Sequence, residues 1–362
     1  MADQHRIPAF ASMTMTRNFL YDYFGLWQGD GMGLQSVGIV GAGAWGTALA
    51  ITSRRAGRDV LLWAYEKETL AGINEQHRNE IYLPGVGLDP AIEATGRLNE
   101  VANCDLLLLA TPAQHVREIA SELAPYLKER QPLVICAKGI EQATGKLISQ
   151  VVAEIAPQVQ LAVLSGPSFA AEVARGLPAA VTLASAEEAL GRELSYALSQ
   201  APFRCYWSDD VTGAEIGGAV KNVYAIAAGI VAGKKFGASA HAALVTRGFA
   251  EMVRFGVAQG ARPETLTGLS GLGDLVLTCG SPQSRNMSLG IALGQGKSLE
   301  EALGDKPTVT EGVYTAGALT EMAASRGIDM PIAQAVQAVI SGSASVDEAI
   351  EALLARPLRA EI

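Results

Sequence analysis

A single lysine, Lys221, stands inside GAEIGGAVKNVYAIAAGI (213–230), a run of small and apolar residues that reads as a buried helix. An unpaired ammonium is costly there, so Lys221 must reach water, meet a charged partner, or line a cavity that needs a cation. Glu215 and Glu251 are candidate partners. So is Asp274 in GLSGLGDLVLTCGSPQSRN (268–286), four residues before Thr278. If a helix starts at Asp274, both side chains share a face, and an acid facing Lys221 relieves the desolvation of each. Arg285 then offers a planar fork to a phosphate or carboxylate, with the neutral amide of Asn286 beside it. Together these groups suit a small, anionic, oxygen-rich molecule. The plainer alternative is a structural Lys–Asp pair and a surface arginine.

A second chemical signal lies near the start. SVGIVGAGAWGTALA (36–50) passes from a buried-strand pattern into a small-residue helix, with Gly41, Gly43 and Gly46 in GxGxxG spacing at the junction. The first glycine permits the turn, the second lets backbone approach a pyrophosphate, and the third lets helix and strand pack closely. Unpaired amides at the helix start face the anion. The next strand, VLLWAYE (60–66), ends at Glu66, where an acid can meet the adenosine ribose 2′-hydroxyl of NAD. Tyr65 and Lys67 flank it, and Lys67, Arg54, Arg55 or Arg58 could instead serve the 2′-phosphate of NADP. The plainer alternative reads Glu66 as a solvated strand-end charge.

The elements that position these groups divide the chain. Apolar runs alternate with helical patterns through CDLLLLATPAQHVREIASEL (104–123), PLVICAKGIEQATGKLISQVVAEI (132–155) and VQLAVLSGPSFAAEVARG (159–176). PAAVTLAS (178–185) and APFRCYWSD (201–209) supply further strands. The pattern predicts an α/β fold: a Rossmann-like doubly wound, largely parallel sheet covered on both faces, followed by an all-helical C-terminal domain. Ligands of such sheets sit beyond the carboxyl ends of the strands, which makes Lys138, Gly166 and Ser168 candidates for facing nicotinamide and substrate. From about Asp210 the pattern becomes helical, over 213–233, 240–260, 284–295, 312–326, 331–341 and 346–354, with a glycine-rich turn at 268–273. The expected division is an extension at 1–35, a dinucleotide-binding domain at 36–209, and a helical substrate-binding and catalytic domain at 210–362. FLYDYFGLW (19–27) in the extension reads as a short helix or an addition ahead of an alternative start at Met32.

At 362 residues, with 49% apolar and 18% charged residues, the chain can build two domains with real cores. A net charge of −9 argues against a general nucleic-acid surface, though not against a local cationic pocket. Cys104, Cys136, Cys205 and Cys279 form no CxxC pair and read as reduced thiols in a cytoplasmic protein. The four histidines are scattered, so no metal site is expected. No apolar run is free of the glycine-rich or charged interruptions that argue against a membrane span.

The chain resembles the bacterial NAD(P)-dependent glycerol-3-phosphate dehydrogenases over about 36–356. The resemblance rests on GAGAWGTALA (41–50), NEIYLPG (79–85), AKGIE (137–141), LSGPSFAAEVARGLPAAV (164–181) and EIGGAVKNVYAIAAGI (215–230). ALVTRGFAEM (243–252), GLSGLGDLVLTC (268–279), SRN (284–286) and VTEGVYT (309–315) continue it. It implies reduction of dihydroxyacetone phosphate to sn-glycerol 3-phosphate with NAD or NADP, feeding glycerophospholipid synthesis in the cytoplasm, by a homodimer. By that resemblance Lys221 is the catalytic lysine and Lys138 and Asp274 fall on substrate-site positions; the three are the expected catalytic group and also touch substrate. Asn222, Thr278, Gly166, Ser168, Ser284, Arg285 and Asn286 fall on substrate positions. Ala44, Trp45, Tyr65, Glu66, Lys138, Ala170, Arg285, Val309 and Glu311, with the three motif glycines, fall on cofactor positions.

The sequence departs from the family at Ser239 and His241, where an amide and a larger base are usual, and at Tyr65, where arginine or histidine is common. Two other readings remain to be tested: a reductase of unphosphorylated 2-oxo or 3-hydroxy acids, and a dinucleotide-sensing protein without hydride transfer.

Overall fold

Leu106–Leu109 is buried on both sides, as expected of an inner strand in a sheet covered by helices. It belongs to a computed structural model that describes residues 33–304 and 309–357. The extension, including 19–27, lies outside the described residues. The strands are β1 (Ser36–Val40), β2 (Asp59–Trp63), β3 (Ile92–Thr95), β4 (Leu106–Leu109), β5 (Pro132–Ile135), β6 (Gln160–Ser165), β7 (Ala179–Ala184) and β8 (Phe203–Ser208). They form one sheet in the order β3-β2-β1-β4-β5-β6-β7-β8, parallel except for the β6–β7 pair. The sequence pattern did not disclose β3, whose IEAT is short and half polar.

Helices α1 (Ala44–Arg55), α2 (Lys67–Gln76), α3 (Leu98–Val101), α4 (Val116–Leu123), α5 (Ile148–Ile155), α6 (Ala170–Ala174) and α7 (Glu188–Leu198) accompany the strands. The second half is helical: α8 (Val211–Gly233), α9 (Ala238–Ala258), α10 (Pro263–Thr267), α11 (Asp274–Gly280), α12 (Arg285–Gly294), α13 (Leu299–Leu303), α14 (Glu311–Ser325), α15 (Pro331–Ile340) and α16 (Val346–Leu354). The glycine-rich turn expected at 268–273 is a π-helical turn, Leu269–Gly273, that delivers Asp274 to the start of α11.

Helix α8 is the axis of this half. It is apolar on every side because it is surrounded on every side. Its length and hydropathy would suffice to cross a bilayer, yet 89% of its apolar window is buried inside the fold. Asp210 starts it by accepting the Gly213 amide at 2.8 Å, and its other oxygen accepts the Arg262 amide at 2.8 Å. Small residues set the spacing to α12. A Cβ on Gly229 would lie 2.2 Å from the Met287 carbonyl oxygen, and one on Gly290 would lie 2.0 Å from that of Ile226. Residues from Leu34 onward form one compact unit. Glu215 of α8 helps join its halves by accepting the amide and hydroxyl of Ser149 at the start of α5. That carboxyl is pushed up to about 7, because burial outweighs the hydrogen bonds that favour its charge.

Candidate active site

The carboxyl rim of the sheet and helices α8, α12 and α14 enclose a cleft of about 1500 Å³. Lys221 lines it from α8 and Lys138 from the loop after β5. Asp274 lies between them with its side chain 2% exposed. Lys221 Nζ donates to Asp274 Oδ1 at 2.9 Å and to Thr278 Oγ1 at 2.7 Å. Lys138 Nζ donates to Asp274 Oδ2 at 2.7 Å and to the Gly166 carbonyl at 2.8 Å. Thr278 donates in turn to Asp274 Oδ1 at 3.1 Å. Sequence spacing places Asp274 and Thr278 on one face, but the sharing of Asp274 with Lys138 is long-range and was not legible. The two other candidate partners of Lys221 are engaged elsewhere. Glu215 binds Ser149, while Glu251 accepts the Ile332 and Ala333 amides and the Tyr224 hydroxyl.

Two ammoniums and one carboxylate leave a net positive charge at the cleft wall. Burial pulls the Lys221 ammonium below the usual lysine range and Lys138 adds to this, while Asp274 opposes it. Burial alone would raise Asp274, but the charges and hydrogen bonds of Lys138 and Lys221 hold it below the ordinary carboxylate range. An ammonium has three N–H groups. Among the described residues, each lysine uses two on protein acceptors and leaves one for a ligand.

The other substrate candidates occupy two positions. Asn286 donates to Asn222 Oδ1 at 2.9 Å and accepts the Gly312 amide at 3.0 Å, a chain that aligns α8, α12 and the start of α14. Ser284 caps α12 by accepting the Met287 amide at 3.2 Å. Arg285 also lines the cleft. Crowding by the walls lowers its pKa and Glu311 opposes that shift, and among the described residues its guanidinium has no hydrogen-bond partner. Ser168 lines the cleft and donates to the Gly166 carbonyl at 3.1 Å. Gly166 is not itself a lining residue; its φ of +142° and the 2.9 Å that would separate a Cβ from Val181 Cα require glycine there.

At the opposite end, Gly41 turns the chain at φ +117°, and a Cβ on Gly46 would lie 1.8 Å from the Gly41 carbonyl oxygen. Gly43 differs: its φ is −67°, and a Cβ there would meet no protein atom within 4 Å. Protein packing therefore does not demand glycine at 43, whereas close approach of a pyrophosphate does. Helix α1 begins there with no side-chain cap and no acid in its first turn, so its leading amides remain available to an anion. These features fit a dinucleotide. Ala44, Trp45, Tyr65, Glu66, Ala170, Val309 and Glu311 all line the same cleft. Glu311 accepts the Ala113 amide at 3.0 Å through Oε1 and leaves Oε2 buried and unpartnered.

Three basic candidates for a 2′-phosphate lie elsewhere. Arg54 pairs with Asp59 and Asp89, Arg55 donates to the Ala174 carbonyl at 2.7 Å, and Arg58 donates to that of Ala197 at 3.1 Å. Neither they nor Lys67 line the cleft. The departures at 239 and 241 also fall outside it. His241 joins α9 to the end of α11 through Nε2 and the Cys279 carbonyl, 2.9 Å apart. All four cysteines are free. Tyr82 was not singled out from sequence; it lines the cleft and donates its hydroxyl to Glu66 at 2.9 Å.

A glycine-turn nucleotide floor facing a lysine-bearing helical wall defines a nicotinamide-dependent oxidoreductase acting on a CH–OH group. The family described as NAD-dependent glycerol-3-phosphate dehydrogenase matches in both parts, its N-terminus over residues 36–191 and its C-terminus over 210–351. A glycerol-3-phosphate dehydrogenase [NAD(P)+] from Parvibaculum lavamentivorans is 58% identical over 327 residues, covering 90% of this chain and 98% of the relative. One from Caulobacter vibrioides is 55% identical over 330 residues, covering 91% and 100%. The crystal structure of glycerol-3-phosphate dehydrogenase from Coxiella burnetii superposes with a TM-score of 0.86 at 38% identity, covering 89% of this chain and 99% of that one. The chain belongs to the NAD(P)-dependent glycerol-3-phosphate dehydrogenase family.

Proposed function

We propose that this chain reduces dihydroxyacetone phosphate to sn-glycerol 3-phosphate, with residues 36–209 holding NAD(H) or NADP(H) and residues 210–362 supplying most of the substrate site. The observation that carries the reading is the pair of lysines sharing Asp274, each with one N–H left for a ligand at the cleft. When bound, the nicotinamide supplies the hydride. The remaining work falls to the protein.

Lys221 donates its third N–H to the substrate C2 oxygen, stabilises the negative charge that develops there, and delivers the proton. In the reverse direction its neutral amine accepts the alcohol proton, and burial favours that form. Asp274 orients both ammoniums from behind the cleft wall, and Lys138 adds positive charge at the same oxygen. Arg285 and Asn286 anchor the phosphate, so binding remote from C2 helps position the reacting carbon. Ser284 and Asn222 hold that anchor in place, while Ser168 and Gly166 hold the loop beside Lys138.

Oxidation of NADH and NADPH by dihydroxyacetone phosphate, beside a panel of unphosphorylated 2-oxo acids, tests the substrate. Preference for the unphosphorylated acids would overturn the reading. Lys221→Met should lower kcat by about 10²–10⁴-fold, the usual range for a positioned acid–base group. A kcat within tenfold of wild type would remove Lys221 from that role. The family resemblance also supports a cytoplasmic homodimer that supplies glycerol phosphate for glycerophospholipids. Light scattering of the purified protein tests the assembly; a monomeric mass would refute it.

A further inference from the structure

The far end of the cleft has a feature that hydride transfer does not use. Glu66 follows β2 and occupies the N-cap position of α2, yet its side chain makes no capping bond. Instead, Oε1 accepts the Tyr82 hydroxyl at 2.9 Å, leaving Oε2 for another donor. Burial raises the Tyr82 phenol to about 12, and the neighbouring Glu66 adds to the shift, so the phenol stays a donor throughout the neutral range. Both side chains line the cleft.

Charges of both signs line the rest of the cleft, Arg175 among the cations. Glu118 and Glu122 of α4 also line the cleft. Arg97 lines it as well, but its guanidinium is paired with Glu100. Lys67 is exposed next to Glu66 but does not contribute to the wall.

We propose that this chain selects NAD(H) over NADP(H), and that Tyr82 is the positioning residue that makes Glu66 selective. The proposal rests on the cleft holding a nicotinamide dinucleotide, as inferred above. A tethered carboxylate accepts a hydrogen bond from a ribose 2′-hydroxyl without rearranging. A 2′-phosphate in that place would bring up to two negative charges against Glu66 and replace the donor with acceptors. The selectivity thus has an attractive part, through Oε2, and a repulsive part, through charge. Without its tether an exposed glutamate turns into solvent, and both parts weaken.

Equilibrium titration of the full chain, followed by tryptophan fluorescence (Trp45 and Trp63 line the cleft), gives Kd for NADH and NADPH. Displacement by 5′-AMP and 2′,5′-ADP isolates the adenosine end. NADH should bind at least tenfold more tightly than NADPH, and 5′-AMP should displace it better than 2′,5′-ADP. Glu66→Gln keeps the shape and removes the charge; it should lower the NADPH/NADH Kd ratio at least fivefold, mainly by tightening NADPH. Tyr82→Phe should lower the ratio at least threefold at an unchanged melting temperature. Glu66 is exposed and Tyr82 half-buried, and each variant keeps the shape of the side chain, so the folded variants can be compared directly. A wild-type ratio below ten, or a Tyr82→Phe ratio within threefold of wild type, overturns the proposal. Failure of the wild type to bind either dinucleotide would instead defeat the reading of the cleft, and this inference with it.

Discussion

Asp274→Asn tests the central electrostatic arrangement with almost no change of shape. In the native site one carboxylate faces two ammoniums, at 2.7 and 2.9 Å, with its side chain 2% exposed. An asparagine carbonyl can accept from one lysine, but its NH₂ must then face the other. Two buried cations would remain with no anion between them. Removing one partner of a buried ion pair typically costs about 3–5 kcal/mol. We expect a loss in that range at pH 7, measured by urea unfolding. The pH dependence is the sharper test. Asp274 has a folded pKa below its unfolded value, so its stabilisation is present above the unfolded pKa and fades as pH falls through the folded one. Burial holds Lys221 below the usual lysine range, so in alkali the uncompensated site loses one of its two cations. The difference between wild type and variant should therefore be largest near neutrality and narrow in both acid and alkali. Adding Lys138→Met to Asp274→Asn removes one excess charge and should recover about 1 kcal/mol or more. A stability difference under 1 kcal/mol at pH 7, or one that is flat across the titration, would refute the shared-carboxylate account.

Other perturbations separate packing from ligand binding. Gly43→Ala should leave urea stability within about 0.5 kcal/mol of wild type while weakening cofactor binding at least tenfold, because its Cβ enters only open cleft space. Gly46→Ala, whose Cβ would overlap the Gly41 carbonyl, should abolish soluble expression or cost more than about 3 kcal/mol; equal behaviour of the two variants would refute the distinction. Gly229→Ala should cost about 2–4 kcal/mol in urea unfolding by pushing α12 from α8, and a cost below 1 kcal/mol would show that the helices separate freely. Glu215 has a folded pKa of about 7, above its ordinary value of 4.5, so its contribution is full below 4.5 and lost as pH rises through 7. Glu215→Gln should remove up to about 3 kcal/mol of that decline, and an unchanged pH–stability profile would reject it.

Local chemistry was legible in this sequence, while of the long-range partnerships only that of Lys221 with Asp274 was. The strand–glycine–helix junction at 36–50 is contiguous, so its spacing carries its geometry. Asp274 and Thr278 are one helical turn apart, and the isolation of Lys221 required a partner of their kind. Nothing local shows that Lys138, 136 residues before Asp274, takes the second oxygen of the same carboxylate. The reversed β7 was hidden for a related reason, since PAAVTLAS reads the same in either direction of pairing. Arg54, Arg55 and Arg58 looked available for a phosphate because sequence displays charge but not the carbonyls and acids that claim it. Tyr82 was concealed in the opposite way, as an aromatic residue whose hydroxyl meets an acid 16 positions earlier.

The same geometry explains why Lys221 can sit in a helix as apolar as α8. Its cost is not removed by exposure, since the side chain is only 10% accessible. Asp274 and Thr278 satisfy two of its donors, and the cleft leaves the third for a ligand. An additional acceptor from the protein would stabilise the ammonium further, but it would compete with the substrate oxygen and raise the pKa that burial has lowered. Partial satisfaction is therefore the condition under which this lysine can both remain in the core and exchange a proton.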